Sequence, residues 1–518
     1  MVYPKLYGNM HDYVELRDIT KSFGSVKAND HINFSIRRGE IHALLGENGS
    51  GKSTLMNILS GIYTPDSGEI LLDGKPVKFN SPADSIHAGI GMVHQHFKLV
   101  EVLSAKENIV AGQKGRFWMR SKALSDEIRA LAERYTLHID PDKKVYQMAV
   151  SEKQTVEILK VLYRGAQVLI LDEPTAVLTP QEIRVLFDIL RNMKAMGCAV
   201  VIITHKLNEV MEISDRVTVL RKGQSIETSN TAETNARMLT EMMVGHPMSL
   251  DIDRAEVDPS LVKPILEVSD LTVMGPEHIP ALDRVSFTLS SGEILGVAGI
   301  AGSGQKELCE AIAGLEHIAG GDIHFKGQSL LKLTPRDIII KGITMSFIPE
   351  DRLGMGLVGS MNIIDNVLLK AYQNMPGLFV DRKKGKQVAN EIIDRFEIAT
   401  PSAYHEVKKL SGGNIQKVLL GREINLNPEL LITAYPVRGL DIGASYNIYD
   451  VLNEQKQKGV GILFIGEDLD VLLSLADRIM IMHGGRIMAI LDAKSTTKEE
   501  VGLLMLGHTA NETEKEGA

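Results

Sequence analysis

Three apolar runs punctuate the first half of the chain: Ile41-His42-Ala43-Leu44-Leu45, Val168-Leu169-Ile170-Leu171 and Ala199-Val200-Val201-Ile202-Ile203. Short runs without polar alternation predict strands buried on both faces, as in a parallel sheet. Stretches of helical spacing lie between them, so this half reads as an α/β domain with a largely parallel sheet. Leu55-Met56-Asn57-Ile58-Leu59 predicts a helix after the first run. Residues 125–135 predict another, in an inserted helical region, with 387–396 as its later counterpart. Two runs end in polar clusters, Asp172-Glu173-Pro174-Thr175 and Thr204-His205. Ligands of parallel α/β sheets gather beyond the carboxyl ends of strands, so both clusters are expected beside one site.

The pattern is written twice. Val14-Glu15-Leu16 returns as Leu266-Glu267-Val268, Gly39-Glu40-Ile41 as Gly292-Glu293-Ile294, and Gly49-Ser50-Gly51 as Gly302-Ser303-Gly304. Each half is domain-sized. Residues 246–263 carry acids and prolines without periodicity and read as a linker, and 509–518 as a solvated tail.

Between the first strand and its helix lies Gly46-Glu47-Asn48-Gly49-Ser50-Gly51-Lys52-Ser53-Thr54. It fits the phosphate-cradling pattern G-x-x-x-x-G-K-[ST]. Glycines let successive N–H groups turn inward on phosphate oxygens, and the helix adds its positive end. Lys52 would reach the β- and γ-phosphates, and the Ser53 hydroxyl would ligate Mg²⁺. Asp172, after an apolar strand, is the expected second Mg²⁺ group, and Glu173 the base that polarises the attacking water. His205 can stabilise the γ-phosphate. Gln95, in Gly91-Met92-Val93-His94-Gln95-His96-Phe97, can bind Mg²⁺ or that water.

Composition narrows the setting. The chain has 518 residues, 44% hydrophobic, and a net charge of −9, which gives no electrostatic reason to expect nucleic acid. Cys198 and Cys309 lack metal-ligand spacing and read as core residues of a reducing compartment. No signal peptide is visible, and the apolar runs fall far short of the roughly 20 residues that span a bilayer. A soluble, cytoplasmic protein is expected, with any membrane role arising through partners.

Phosphate loop, Gln loop, signature-type stretch, Asp-Glu strand end and His strand end follow one another in order. The chain resembles the nucleotide-binding subunits of ABC transporters over nearly its whole length, and most of all the fused double-cassette ATPases of bacterial importers for simple sugars and nucleosides. The resemblance implies two tandem α/β P-loop ATPase domains, each a mostly parallel sheet with a helical subdomain and an antiparallel β part. They would span 1–245 and 264–508, with 246–263 as linker and 509–518 as tail. It implies ATP and Mg²⁺ as ligands, Phe23 stacked on adenine, two transmembrane permease subunits, and an extracytoplasmic solute-binding protein reached through them. Location would be peripheral, on the cytoplasmic face of the cell membrane. The stretch 89–97 with Leu99-Val100, and Tyr163-Arg164-Gly165-Ala166, look most like the nucleoside branch, with a pentose or hexose importer as runner-up. Soluble twin-cassette ATPases of ribosomes or DNA repair are a distant alternative. Those of ribosomes carry a long charged linker and two competent sites.

The two halves differ. In this family each ATP lies between one phosphate loop and the other cassette's signature. The second half has Leu410-Ser411-Gly412-Gly413-Asn414, with Asn in the usual Gln place; the first has Met148-Ala149-Val150-Ser151. Gln305 stands where Lys52 does, Lys306 where Ser53 does, Ala434 for Asp172, Tyr435 for Glu173, Glu467 for His205 and Glu350 for Gln95. No aromatic near Gly275 matches Phe23. Asp441 is kept after the second strand end, whereas Thr179 follows the first. The losses fall together, which implies one hydrolytic site, built from the first loop with Ser411, Gly412 and Gly413, and one silent site.

Overall fold

The computed structural model describes residues 12–508 apart from 25, 96, 114–120, 177, 248–250, 259, 261, 276–277, 301, 348–355, 373–378 and 439. Glu350 and the expected tail therefore lie outside the described residues, as do parts of the linker. The chain divides into two compact units, with the division after residue 249.

In the first unit, β1 (Asp12–Phe23), β2 (Val26–Arg37), β4 (Ser67–Leu72) and β5 (Lys75–Val77) form an antiparallel sheet in the order β2-β1-β4-β5. A six-stranded sheet contains β3 (Ile41–Gly46), β6 (Ile90–Val93), β7 (Val168–Asp172), β8 (Ala199–Thr204), β9 (Arg216–Arg221) and β10 (Gln224–Asn230). Its order is β10-β9-β3-β8-β7-β6, parallel throughout except for β10. The apolar runs are continuous because both faces are covered. Leu169, Leu171, Val200 and Ile202 pack with the helices on one side. Val168, Ile170, Val201 and Ile203 pack with Val14, Leu16 and Phe34 of the antiparallel sheet on the other.

The second unit repeats this topology. Strands β11 (Pro264–Met274), β12 (Pro280–Ser290), β14 (Ile318–Phe325) and β15 (Gln328–Ser329) make the antiparallel sheet. Strands β13 (Ile294–Gly299), β16 (Ile343–Phe347), β17 (Leu430–Ala434), β18 (Gly461–Ile465), β19 (Arg478–His483) and β20 (Arg486–Asp492) make the other, ordered β16-β17-β18-β13-β19-β20. The repeat reaches single bonds. Asp215 accepts from Ile41 N at 2.8 Å, and Asp477 accepts from Ile294 N at 2.9 Å.

The helix expected over 125–135 runs Ser121–Arg134, and that expected over 387–396 runs Arg382–Arg395, opened by the Asp381 cap. In the second of these the cap and first turn are polar, so apolar spacing placed its start too late. The segment expected as linker is partly tied down. The Arg254 guanidinium donates to the carbonyls of Leu473 and Ser474, and Ala255 N donates to Asn453 Oδ1, all within the second unit. Cys198 and Cys309 are buried, as expected of core residues. No helix among the described residues is long and apolar enough to cross a membrane.

Candidate functional site

The site lies where β6, β7, β8 and β3, four neighbours in the sheet, reach their carboxyl ends. Beyond β3 the loop turns through Gly49 (φ +81°) and Gly51 (φ +101°) into the helix Lys52–Leu59. Left-handed backbone here suits glycine, and Gly51 is needed for space as well: a Cβ would sit 2.3 Å from Ala28 O. Asn48, Gly49 and Ser53 are exposed, Thr54 is half-buried, and Ser50 is buried with its Oγ unpartnered. Lys52 is buried and donates to Gly46 O at 2.7 Å and Glu47 O at 2.9 Å. Burial lowers its pKa, opposed by the charges of Glu173, Asp172 and Glu47. Asn29 of β2, fully buried, donates to Gly51 O at 3.1 Å and braces the loop. Sequence reasoning missed it; the signal was a polar residue inside an otherwise alternating strand.

Asp172 ends β7 and Glu173 follows with φ +46°, its N–H bonded to Ile203 O of β8 at 2.9 Å. That bond turns the chain so that Glu173 is held between two partners. Gln95 Nε2 donates to one carboxylate oxygen at 2.8 Å, and His205 Nδ1 lies 3.0 Å from the other. The His205 hydrogen bond is the main cause holding Glu173 below the usual carboxylate range. Asp172 moves the opposite way. Burial first, then the Glu173 charge, push it up to about 6, against the pull of Lys52. The two adjacent acids are thus pushed in opposite directions.

Ser53 hydroxyl, Gln95 amide and Asp172 carboxylate are hard oxygen donors, the type Mg²⁺ takes alongside phosphate oxygens and water. The unpartnered buried Ser50 Oγ and a cation-seeking buried Asp172 fit a Mg²⁺–phosphate ligand here. Phe23, at the end of β1, is 44% exposed, so it is no core residue. Tyr63, which the sequence reading passed over, meets its ring edge-on at 5.2 Å.

In the second unit the backbone is kept and the chemistry is not. Tyr435 has φ +54° and its N–H bonds to Ile465 O at 2.8 Å, matching Glu173. The turn thus belongs to the fold. Gln305 Nε2 donates to Ile300 O at 3.3 Å, the bond Lys52 makes to Glu47. Lys306 lies 3.8 Å from Glu310. Arg438 pairs with Glu467 at 3.3 Å and lies 5.8 Å from the Tyr435 ring centre. Burial, then Glu467, push the Tyr435 hydroxyl up to about 12. With Lys306 and Ala434 replacing two oxygen donors, these residues do not fit Mg²⁺.

The ABC transporter family profile matches residues 29–176 and 282–436, once in each unit and over more than half of the chain. The chain belongs to the ABC transporter family. It is an ATP-binding ATPase of that family. It is 41% identical to the nucleoside import ATP-binding protein NupA of Lactococcus lactis subsp. cremoris, over 96% of this chain and 99% of that one. Identity is 43% to the guanosine import ATP-binding protein NupO of Bacillus subtilis, over 98% of this chain and 99% of that one. It is 40% to the ribose import ATP-binding protein RbsA 1 of Rubrobacter xylanophilus, over 97% and 99%.

The two stretches expected as signatures differ in local bonding. Ser411 caps the helix Gly412–Asn425, and its Oγ accepts from Asn414 Nδ2 at 2.8 Å. Gly413 faces Leu440, which a Cβ would approach to 2.9 Å. In the first unit Ala149 precedes the helix Val150–Tyr163 without a side-chain acceptor, and Glu152 instead accepts from Ala149 N at 2.8 Å.

Proposed function

We propose that this chain is the ATP-hydrolysing subunit of an importer, with a nucleoside as cargo and hydrolysis confined to the first unit's loop. One observation carries the assignment. Glu173 is clasped between Gln95 and His205 beside a buried Lys52, while the matching positions of the second unit hold Tyr435, Glu467 and Gln305.

In this reading the N–H groups of Gly49, Ser50 and Gly51 take phosphate oxygens, and Gly46 and Asn48 shape the loop around them. Lys52 exchanges its two loop carbonyls for the β- and γ-phosphates of ATP, its substrate. Ser53, Asp172 and Gln95 would hold Mg²⁺, which neutralises charge on those phosphates when bound. Thr54, with the loop, is assigned to bind the nucleotide. Glu173, ionised and oriented by its two partners, accepts the proton of the attacking water, and His205 meets the γ-phosphate. Phe23 stacks on adenine. Ser411, Gly412 and Gly413 are assigned by resemblance as the signature donors for that ATP. The two cassettes are assigned to 1–245 and 264–508.

Full-length identity to nucleoside importers supports the cargo assignment. Two permease subunits and a solute-binding protein complete the assembly. A groove of about 170 Å³ at His94, the residue before Gln95, lined also by Met92, Lys98, Glu157, Lys160 and Arg164, supports permease contact there. The 40% identity to a ribose importer keeps sugars as the second reading. Uptake of labelled nucleosides and labelled ribose in cells carrying the whole operon separates them. Glu173→Gln is expected to abolish nucleoside uptake and leave protein levels unchanged. Loss of ribose uptake alone moves the cargo to sugars, and no loss of either overturns the assignment.

A further inference from the structure

The helix Arg382–Arg395 of the second unit begins with Arg382-Lys383-Lys384, and Lys386 follows in the next turn. Cations oppose the helix dipole in a first turn, where acids are favoured. Asp381 offsets part of this as the cap, accepting from the backbone N–H groups of Lys383 and Lys384 at 3.0 Å. The side chains have little to hold them. Arg382 pairs with Asp365 at 2.8 Å, and the Lys386 ammonium lies 5.3 Å from the centre of the Tyr404 ring. Lys383 and Lys384 are exposed and form no ion pair among the described residues.

The helix cannot roll to bury them. Gly385 lies against Leu368 of the helix Ile363–Ala371, so closely that a Cβ would come within 2.7 Å of that side chain. Gly385, Ala389 and Ile392 form the buried face, which turns the four cations outward. Immediately before the cap stand Phe379, 90% exposed, and Val380, 48% exposed. An aromatic ring presented to water beside four cations contributes nothing to this fold. The chain as a whole carries −9, so the cluster runs against its overall charge.

We propose that Phe379 and Val380, with Arg382, Lys383, Lys384 and Lys386, form a contact for an anionic lipid bilayer surface. The ring and the valine enter the interfacial layer, and the ammonium and guanidinium groups meet headgroup phosphates. Clusters of four to eight basic residues beside an apolar anchor suffice for such binding, at about 1 kcal/mol per cation. The surface is independent of the nucleotide site and of the cargo.

The test is co-sedimentation of the full chain with phosphatidylcholine vesicles, with and without phosphatidylglycerol. Binding is expected only with the anionic lipid and weakens as salt is raised. The double variant Lys383→Gln/Lys384→Gln is expected to bind about thirtyfold more weakly. Phe379→Ser weakens binding with less change in its salt dependence. Neither variant alters ATP turnover in solution, which shows that both fold. Equal binding to neutral and anionic vesicles, or equal binding by the double variant, overturns the proposal. So does capture by detergent-solubilised permease that the double variant loses while vesicle binding is unchanged, since the surface then belongs to a protein partner.

Discussion

At the scale of single residues, the Asp172–Glu173 pair shows how one sheet edge produces two different acids. Asp172 is held above its ordinary 3.8, at about 6, chiefly by burial. A carboxyl with a raised folded pKa keeps a proton in the native state that the unfolded chain has released. Stability therefore falls as pH rises from 3.8 to about 6, and the penalty is fully present above that. Asp172→Asn is expected to raise the melting temperature of the nucleotide-free protein by about 6–12 °C at about pH 8. The gain shrinks as pH is lowered through about 6; a gain independent of pH removes the burial argument. The signatures give a second residue-scale prediction. Ser411→Ala is expected to lower ATP turnover about tenfold to a hundredfold, at a cap cost of about 1 kcal/mol. Ala149→Ser with Ser151→Gly should leave turnover nearly unchanged, and equal sensitivity at both signatures rules out a single hydrolytic site.

At the scale of elements, the helix Gly412–Asn425 sits close to the helix Arg382–Arg395 because Gly421 has no side chain. A Cβ there would lie 2.6 Å from Ile392 Cγ2 and 3.0 Å from the Phe396 ring. Gly421→Ala should therefore destabilise the second unit by about 1–3 kcal/mol, although alanine favours a helix by about 1 kcal/mol. Thermal melting decides, and a stabilised variant shows that the two helices separate easily. Strands β3, β7 and β8 were readable as elements because both faces of each are apolar. The helix starts were less so, since Asp381 and the basic turn after it carry no apolar periodicity.

At the scale of the molecule, two units share one topology while one set of nucleotide chemistry is complete. Mg²⁺ with ATP at about 100 times its Kd should add about 2.7 kcal/mol to a unit that binds it. Calorimetry is expected to show the first unit's transition rising by more than the second's. Two transitions rising alike, or two ATP hydrolysed per chain at equal single-turnover rates, contradict the assignment of the second loop as silent. The repeat also explains why strain at Glu173 is no proof of catalysis, since Tyr435 has the same left-handed backbone without the acid.

The sequence by itself determined the phosphate loop, the paired acids, the doubled domain and the asymmetry between its halves. Each rests on residue identity at fixed spacing, which chemistry reads directly. The tertiary structure decided which of these groups meet. Gln95, Glu173 and His205 lie 78 and 32 residues apart, and only the strand order brings their side chains to hydrogen-bonding distance. The brace from Asn29 to the loop, the pairing of Tyr63 with Phe23, and the outward face of Lys383 and Lys384 were likewise set by packing. Contacts between residues distant in the chain depend on register and on which face is buried, and local pattern carries neither.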